Sequence, residues 1–363
     1  MFSALLSAAA IAGLAVIFIK AMIDLLAMSG ITLFGSPNEG DSSTAFDPAS
    51  DMPSLAGKII LITGGAGDLG REVAIRFARR NPARIYIADL PRADQGVSVI
   101  RDLQEQAPHA RFRFLELDLG SFASIQTAAA RFRAAEDRLD ICVLNAGVMR
   151  IQPGTTADGY ELAFGVNYLG HALLTKLLLP TLLRTAAERF ADVRVVVVAS
   201  QGHRMAPHGG IQFDKLATPC EDLKYYQRYG QSKLACIGFA RELAREYPQL
   251  RVAAVHPGRV VTGMAHRLRE ESLLFRLTAH VAPLFCTSVA AGARNHLWAA
   301  TSRDVVSGVY YEPVGVPDRE SEVARDMSLS GRLWEWTADE LRRFDESVVV
   351  PAEKEKGDAR DAS

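Results

Sequence analysis

The sequence predicts a doubly wound parallel α/β sheet of about seven strands, preceded by an N-terminal hydrophobic helix. Three observations carry that expectation. Short β-branched runs alternate with amphipathic stretches from about Leu55 onward, the pattern of a parallel sheet with crossover helices. A glycine-rich turn follows the first such run and opens directly into a helical pattern, the context a dinucleotide-binding loop requires. Tyr229 and Lys233 stand four residues apart in YGQSKLACIGFARELAREY, which puts a phenol and an ammonium on one helix face.

The chain divides in order. Phe2 to Ile19 carries no charged side chain, Lys20 and Asp24 interrupt it, and apolar residues resume through Phe34, enough to cross a bilayer as a helix of about 20 residues. Residues 1–34 are therefore expected to be a single N-terminal membrane anchor, with the endoplasmic reticulum a candidate membrane. A cleaved signal peptide fits less well, because Ser7 to Ala10 precede the most hydrophobic part, and a buried or surface-lying helix is the remaining alternative. Lys20 is nearly offset by Asp24, so the orientation stays open. Residues 35–54 shift to Ser, Asp, Pro and Gly, a composition expected of a flexible linker. Residues 55–345 read as a single α/β domain and 346–363 as a polar tail.

Within the domain, strands are expected at Ile59 to Thr63, Arg84 to Asp89, Arg111 to Leu117, Ile141 to Asn145, Val193 to Ser200, Val252 to His256 and Val309 to Glu312. Helical patterns cover Leu69 to Arg80, Ser121 to Glu136, Gly159 to Leu183 and Gln231 to Tyr247, each long enough for a right-handed crossover.

Composition narrows the partners. With 363 residues, 48% of them hydrophobic and 23% charged, the chain can bury one large core. Its 41 basic and 42 acidic residues are balanced, so no nucleic-acid partner is expected. Cys142, Cys220, Cys236 and Cys286 lie too far apart for a zinc or redox motif. His203, His208 and His256 show no ligand spacing on a common helix, so no metal is expected.

The motifs carry the chemistry. Thr63, Gly64, Gly65, Ala66, Gly67, Asp68, Leu69 and Gly70 form the glycine-rich turn. Glycine lets main chain approach a pyrophosphate that faces a helix N-terminus, which makes the expected sheet Rossmann-type. Asp89 ends the second strand, about 25 residues beyond Gly64, where a carboxylate accepts from ribose hydroxyls and repels a 2′-phosphate. NAD is thereby favoured over NADP, although Arg92 sits close by. A free tyrosine ionises near pH ~10, and a fixed positive charge such as that of Lys233 favours the phenolate needed for acid–base work. A Tyr and a Lys at this spacing also occur on ordinary helix surfaces, so the pair gains its meaning from the rest of the chain.

These motifs together resemble the short-chain dehydrogenase/reductase family, and more closely its retinol-dehydrogenase-like members, over about Leu55 to Val314. The resemblance implies that Asp118 and Leu119 contact adenine, and that Asn145, Ala146 and Gly147 form the motif after the fourth strand. It implies that Asn167, in GVNYLGHALLTKLLLP, orders an active-site water and Lys233. Ser200, ending VVVVAS, would hold the substrate oxygen. Pro257, Gly258 and Thr262, in HPGRVVT, would meet the nicotinamide end of the cofactor. Tyr229 would be the general acid or base, and Lys233 would ease its proton loss and bond the nicotinamide ribose.

Two departures stand out. The turn is spaced TGxxGxxG, more typical of the extended branch that includes nucleotide-sugar epimerases, with Asp68 where ordinary members carry their middle glycine. Leu144 replaces the first asparagine of the usual NNAG. The NAG motif, Asn167 and the PGxVxT loop stand on the ordinary side.

The expected function is NAD(P)-dependent interconversion of an alcohol and a carbonyl by hydride transfer. The segment after Thr262, MAHRLREESLLFRLTAHVAPLFC, reads as a substrate lid or, equally, as an amphipathic surface helix. With the anchor, it points by analogy to a lipophilic small-molecule substrate; a homo-oligomer stays open. The alternatives are an extended-type enzyme acting on a nucleotide-linked sugar and a non-catalytic, membrane-tethered dinucleotide-binding protein.

Overall fold

The computed structural model describes residues 45–91, 95–149, 152–258, 260 and 287–342. The N-terminal segment, Arg92, Thr262, the stretch up to Cys286 and the tail lie outside the described residues.

Seven strands form one sheet: β1 Ile59–Thr63, β2 Arg84–Asp89, β3 Phe112–Glu116, β4 Ile141–Leu144, β5 Arg194–Val198, β6 Arg251–Val255 and β7 Val309–Tyr311. Their spatial order is β3-β2-β1-β4-β5-β6-β7, and every pairing is parallel. All seven expected strands are present, with every end within two residues of its expected place. Both faces of the sheet are covered, which explains the near-continuous apolar runs. Ile59 and Leu61 enter one core while Ile60 and Ile62 enter the other, as the two-residue period of a strand demands.

The longer helices among the described residues are α1 Asp68–Ala78, α2 Gln95–Gln106, α3 Phe122–Ala135, α4 Leu162–Ala186, α5 Tyr225–Glu246, α6 Val289–Thr301 and α7 Met327–Arg342. The first core holds residues of α3, α4, α5 and α7, and the second those of α1, α2 and α6. Among the described residues α4 alone is long and apolar enough to cross a bilayer, and it is mostly buried inside the protein. Its apolar surface is spent on the core.

The order of strand addition reverses between β1 and β4: β2 and β3 are added on one side of β1, and β4 to β7 on the other. A crevice opens at such a switch point, outside the carboxyl ends of the strands. Thr63 ends β1 there, and Asn145 follows β4 there.

Three differences from the sequence reading have physical causes. Residues 45–54, assigned to the flexible linker, are packed: Phe46 and Met52 are buried in the second core, and Arg294 Nη2 donates to the Phe46 carbonyl at 2.6 Å. Two apolar side chains suffice to fasten a stretch whose average composition is polar. Helix α5 begins at Tyr225 rather than Gln231, because the Gln227 side chain accepts from the Lys224 amide at 3.1 Å and closes the first turn. Tyr229 thus sits inside the helix. Helices α2, α6 and α7 were not foreseen, although Ser288 accepts from the Ala291 amide at 3.2 Å and Asp326 from the Ser328 amide at 2.8 Å. Both are ordinary N-cap signals.

Candidate active site

The glycine turn joins β1 to α1 at the switch point. Gly64 has φ +64°, and a β-carbon on it would stand 2.9 Å from Ala146 Cα. A β-carbon on Gly70 would stand 2.3 Å from the Gly64 carbonyl oxygen, so these two positions require glycine. Gly67 does not: its β-carbon would meet the Gly64 oxygen at an ordinary 3.5 Å. Gly67 caps α1 with no side-chain bond, and Asp68 opens the helix from an exposed position. The unusual spacing therefore leaves the close approach of Gly64, Gly65 and Gly70 intact. Bare backbone around a helix N-terminus is a setting that fits a pyrophosphate.

Asp89 faces this turn. Its Oδ2 accepts from the Ala66 amide and its Oδ1 from the Leu90 amide, both at 2.9 Å. Each oxygen keeps acceptor capacity for ribose hydroxyls. Asp118 Oδ1 accepts from the Gly120 amide at 2.8 Å, which shapes the turn that follows β3, while Leu119 is buried. Leu69 is partly buried against the second core.

The loop after β4 is tied to the glycine turn. The Asn145 and Ala146 amides donate to Thr63 Oγ1 at 2.9 and 3.0 Å, and Asn145 Nδ2 donates to the Thr63 carbonyl at 2.9 Å. Gly147 leaves room for what lies beyond it, since its β-carbon would stand 3.2 Å from Asn167 Oδ1 and 3.5 Å from Lys233 Nζ.

Helix α4 widens into a π turn over Gly165–Leu169, the feature that sets the Asn167 backbone apart from an ordinary helix. The Asn167 side chain is buried. Its Oδ1 accepts from the Val148 amide at 2.7 Å, and its Nδ2 donates to the Val148 carbonyl at 3.0 Å and Ser232 Oγ at 2.9 Å. Ser232 Oγ in turn donates to the Tyr229 carbonyl at 2.7 Å. The Asn167 side chain thus fastens α4 to the turn of α5 that carries Tyr229.

Lys233 is buried and donates to the Val198 carbonyl at 2.7 Å, with Nζ 5.9 Å from the centre of the Tyr229 ring. Ser200 lies two residues past the end of β5, and its Oγ accepts from the Gly202 amide at 3.0 Å. A β-carbon on Gly202 would stand 2.6 Å from Tyr229 Cε1 and 3.2 Å from Ser200 Oγ. Ser200 and Tyr229 therefore flank one small glycine gap. Both are partly exposed, while Asn167, Ser232 and Lys233 behind them are buried.

Two histidines that the sequence reading did not place in the site support it. His203 Nδ1 donates to the Ser200 carbonyl at 2.7 Å, and its Nε2 accepts from the Ser321 amide at 3.0 Å. Burial pushes His203 down to about 4, so the ring is neutral at pH 7. His171 lies between Thr63 and Asn167. The sequence signals for both were short, SQGH and NYLGH, and neither has helical or metal-ligand spacing.

Pro257 and Gly258 follow β6, Gly258 at φ +82°, and the Pro257 carbonyl comes within 3.1 Å of a β-carbon built on Gly292 of α6.

Comparison with known proteins matches residues 58–212 to the short chain dehydrogenase family model. The chain is 38% identical over 272 residues to an uncharacterized oxidoreductase of Schizosaccharomyces pombe, covering 73% of this chain and 79% of that protein. It is 36% identical over 289 residues to retinol dehydrogenase 12 of Mus musculus, covering 77% and 85%. A crystal structure of an uncharacterized protein from Mycobacterium paratuberculosis aligns with TM-score 0.62 at 27% identity, over 82% of this chain and 97% of that one.

Proposed function

The chain belongs to the short-chain dehydrogenase/reductase family and is an oxidoreductase, and from that premise we propose that it interconverts a lipophilic alcohol and its carbonyl compound with NAD as the favoured cofactor. The observation that carries this reading is the convergence of Ser200 Oγ and the Tyr229 ring on the gap at Gly202, with Lys233 Nζ 5.9 Å from the ring centre.

Bound NAD would supply the hydride acceptor, or NADH the donor, and the residues available to hold it are Thr63 to Gly70, Asp89, Asp118, Leu119, Asn145 to Gly147, Pro257 and Gly258. Ser200 Oγ accepts from Gly202, which leaves its own proton to donate to the substrate oxygen. Tyr229 takes the hydroxyl proton in oxidation and returns it in reduction. Lys233 has two ammonium protons beyond the one given to Val198, available to the nicotinamide ribose. Asn167 acts on Tyr229 through Ser232.

Asp89 supports NAD over NADP by charge: a carboxylate at the ribose end repels a 2′-phosphate. A lipophilic substrate is supported by analogy to the retinol dehydrogenase relative and by the apolar run of residues 2–19, which would hold the enzyme at a membrane where such substrates partition. The test is NADH formation from a panel of lipophilic primary and secondary alcohols, beside nucleotide-diphosphate sugars. Turnover of lipophilic alcohols supports the proposal; turnover confined to nucleotide sugars overturns it.

A further inference from the structure

Thr63 and His171 stand 108 residues apart in sequence and meet in the core, Thr63 Oγ1 lying 2.8 Å from His171 Nε2. Both are buried. His171 Nδ1 lies 2.9 Å from the Asn167 carbonyl oxygen.

The groups at the two ends determine every proton in this chain. A carbonyl oxygen only accepts, so Nδ1 must carry the proton and Nε2 must accept. Thr63 Oγ1 receives the Asn145 and Ala146 amides, and its own proton goes to Nε2. The Val143 carbonyl, 3.5 Å from Thr63 Oγ1, is too distant to take over that proton. Desolvation lowers His171 to about 4, in keeping with a neutral ring. A neutral imidazole, with one donor and one acceptor on opposite edges, suits a bridge between a hydroxyl and a carbonyl.

We propose that His171 is a positioning residue that locks the dinucleotide-binding turn to the catalytic half of the site, through the relay Asn145 and Ala146 amides, Thr63 hydroxyl, His171 ring, Asn167 carbonyl. Thr63 is the last residue of β1, where the glycine turn begins. Asn167 is the residue whose side chain holds Ser232 and, through it, Tyr229. Movement of the turn on binding a dinucleotide is thereby coupled to the helix that supports the acid–base tyrosine. The functional meaning rests on the reading proposed above; the bridge itself does not.

Two measurements on the full chain test it. Nitrogen-15 NMR of the imidazole at pH 7 reads the ring directly: a protonated Nδ1 and bare Nε2 are expected, and the opposite tautomer or a charged ring overturns the bridge. NADH titration reads the coupling. His171→Leu and Thr63→Val should each weaken NADH binding about tenfold with a cooperative melting transition retained. The double variant should be no weaker than the weaker single one, because both break the same chain. His171→Gln, which keeps a donor and an acceptor, should bind within about threefold of the natural protein. Additive losses, or a Gln variant as weak as the Leu variant, overturn the proposal. Should His171→Leu not fold, Thr63→Val and His171→Gln still decide it. Failure of the natural protein to bind either dinucleotide would count against the functional reading, while the NMR result would still decide the bridge.

Discussion

Gly202 lies against the Tyr229 ring so closely that a β-carbon there would stand 2.6 Å from Cε1 and 3.0 Å from Cδ1. The space that brings the tyrosine beside Ser200 is the space left by a missing side chain. Gly202→Ala should push the ring away and lower turnover about 10- to 100-fold, since a displacement of about 1 Å can cost that much. NADH affinity should stay unchanged, as the glycine turn proposed to hold the dinucleotide is untouched. Parallel steady-state kinetics and NADH titration check both halves.

The glycine turn gives an asymmetric expectation. Gly70→Ala forces a β-carbon to within 2.3 Å of the Gly64 carbonyl, and overpacking of this kind costs about 1–3 kcal/mol. Dinucleotide binding should fall at least tenfold with it. Gly67→Ala meets only a 3.5 Å contact at an ordinary φ of -77° and should bind nearly as the natural protein does. Equal losses in the two variants, measured by NADH fluorescence titration, would show that the turn is built around Gly67 instead.

Asp89 accepts from the Ala66 amide of the glycine turn, which sets it where we propose the ribose binds. Asp89→Ala should bring NADH and NADPH affinities close to parity from a preference of about tenfold or more for NADH, because the charge that repels a 2′-phosphate is gone. A preference unchanged in titrations of both cofactors would remove Asp89 from the ribose site.

Three buried histidines set an acid limit on stability. His171, His203 and His296 are each lowered by burial from 6.5 to about 4. Above pH 6.5 these rings are neutral folded or unfolded, and the full stability is present. Between 6.5 and 4 the unfolded chain binds protons that the folded one refuses, so stability falls with pH by up to about 1.4 kcal/mol per unit for each ring. Glu161, raised by burial, opposes this modestly, while Asp140 and Asp192, lowered by their arginines, act only below 3.8. Urea midpoints measured from pH 7.5 to 4 should decline through that window, and a flat profile would mean that the rings are hydrated.

The sheet was legible because its central strands are buried on both faces and written in near-continuous apolar residues, as in Ile59–Thr63 and Arg194–Val198. The candidate site was legible because Tyr229, Lys233, Ser200 and Asn167 have side chains whose chemistry is itself the signal. Their supports were not. Gly202 matters through what it lacks, and His171 through partners 108 and 4 residues away that only the fold brings together. Helix α6 was hidden because its buried face includes Asn295 and His296, which break the apolar pattern of a packed helix. Phe46 and Met52 were hidden by the polar residues around them.

The central claim is that Tyr229 moves the proton while hydride passes between substrate and dinucleotide. Its most direct test is transfer of deuterium from NADH deuterated at the transferable position to a lipophilic aldehyde or ketone, by the natural protein and by Tyr229→Phe, with NADH binding measured for both. The account predicts deuterium on the carbinol carbon with the natural protein, at least 100-fold slower transfer with Tyr229→Phe, and similar NADH affinity for the two. Transfer by Tyr229→Phe at the natural rate would contradict it.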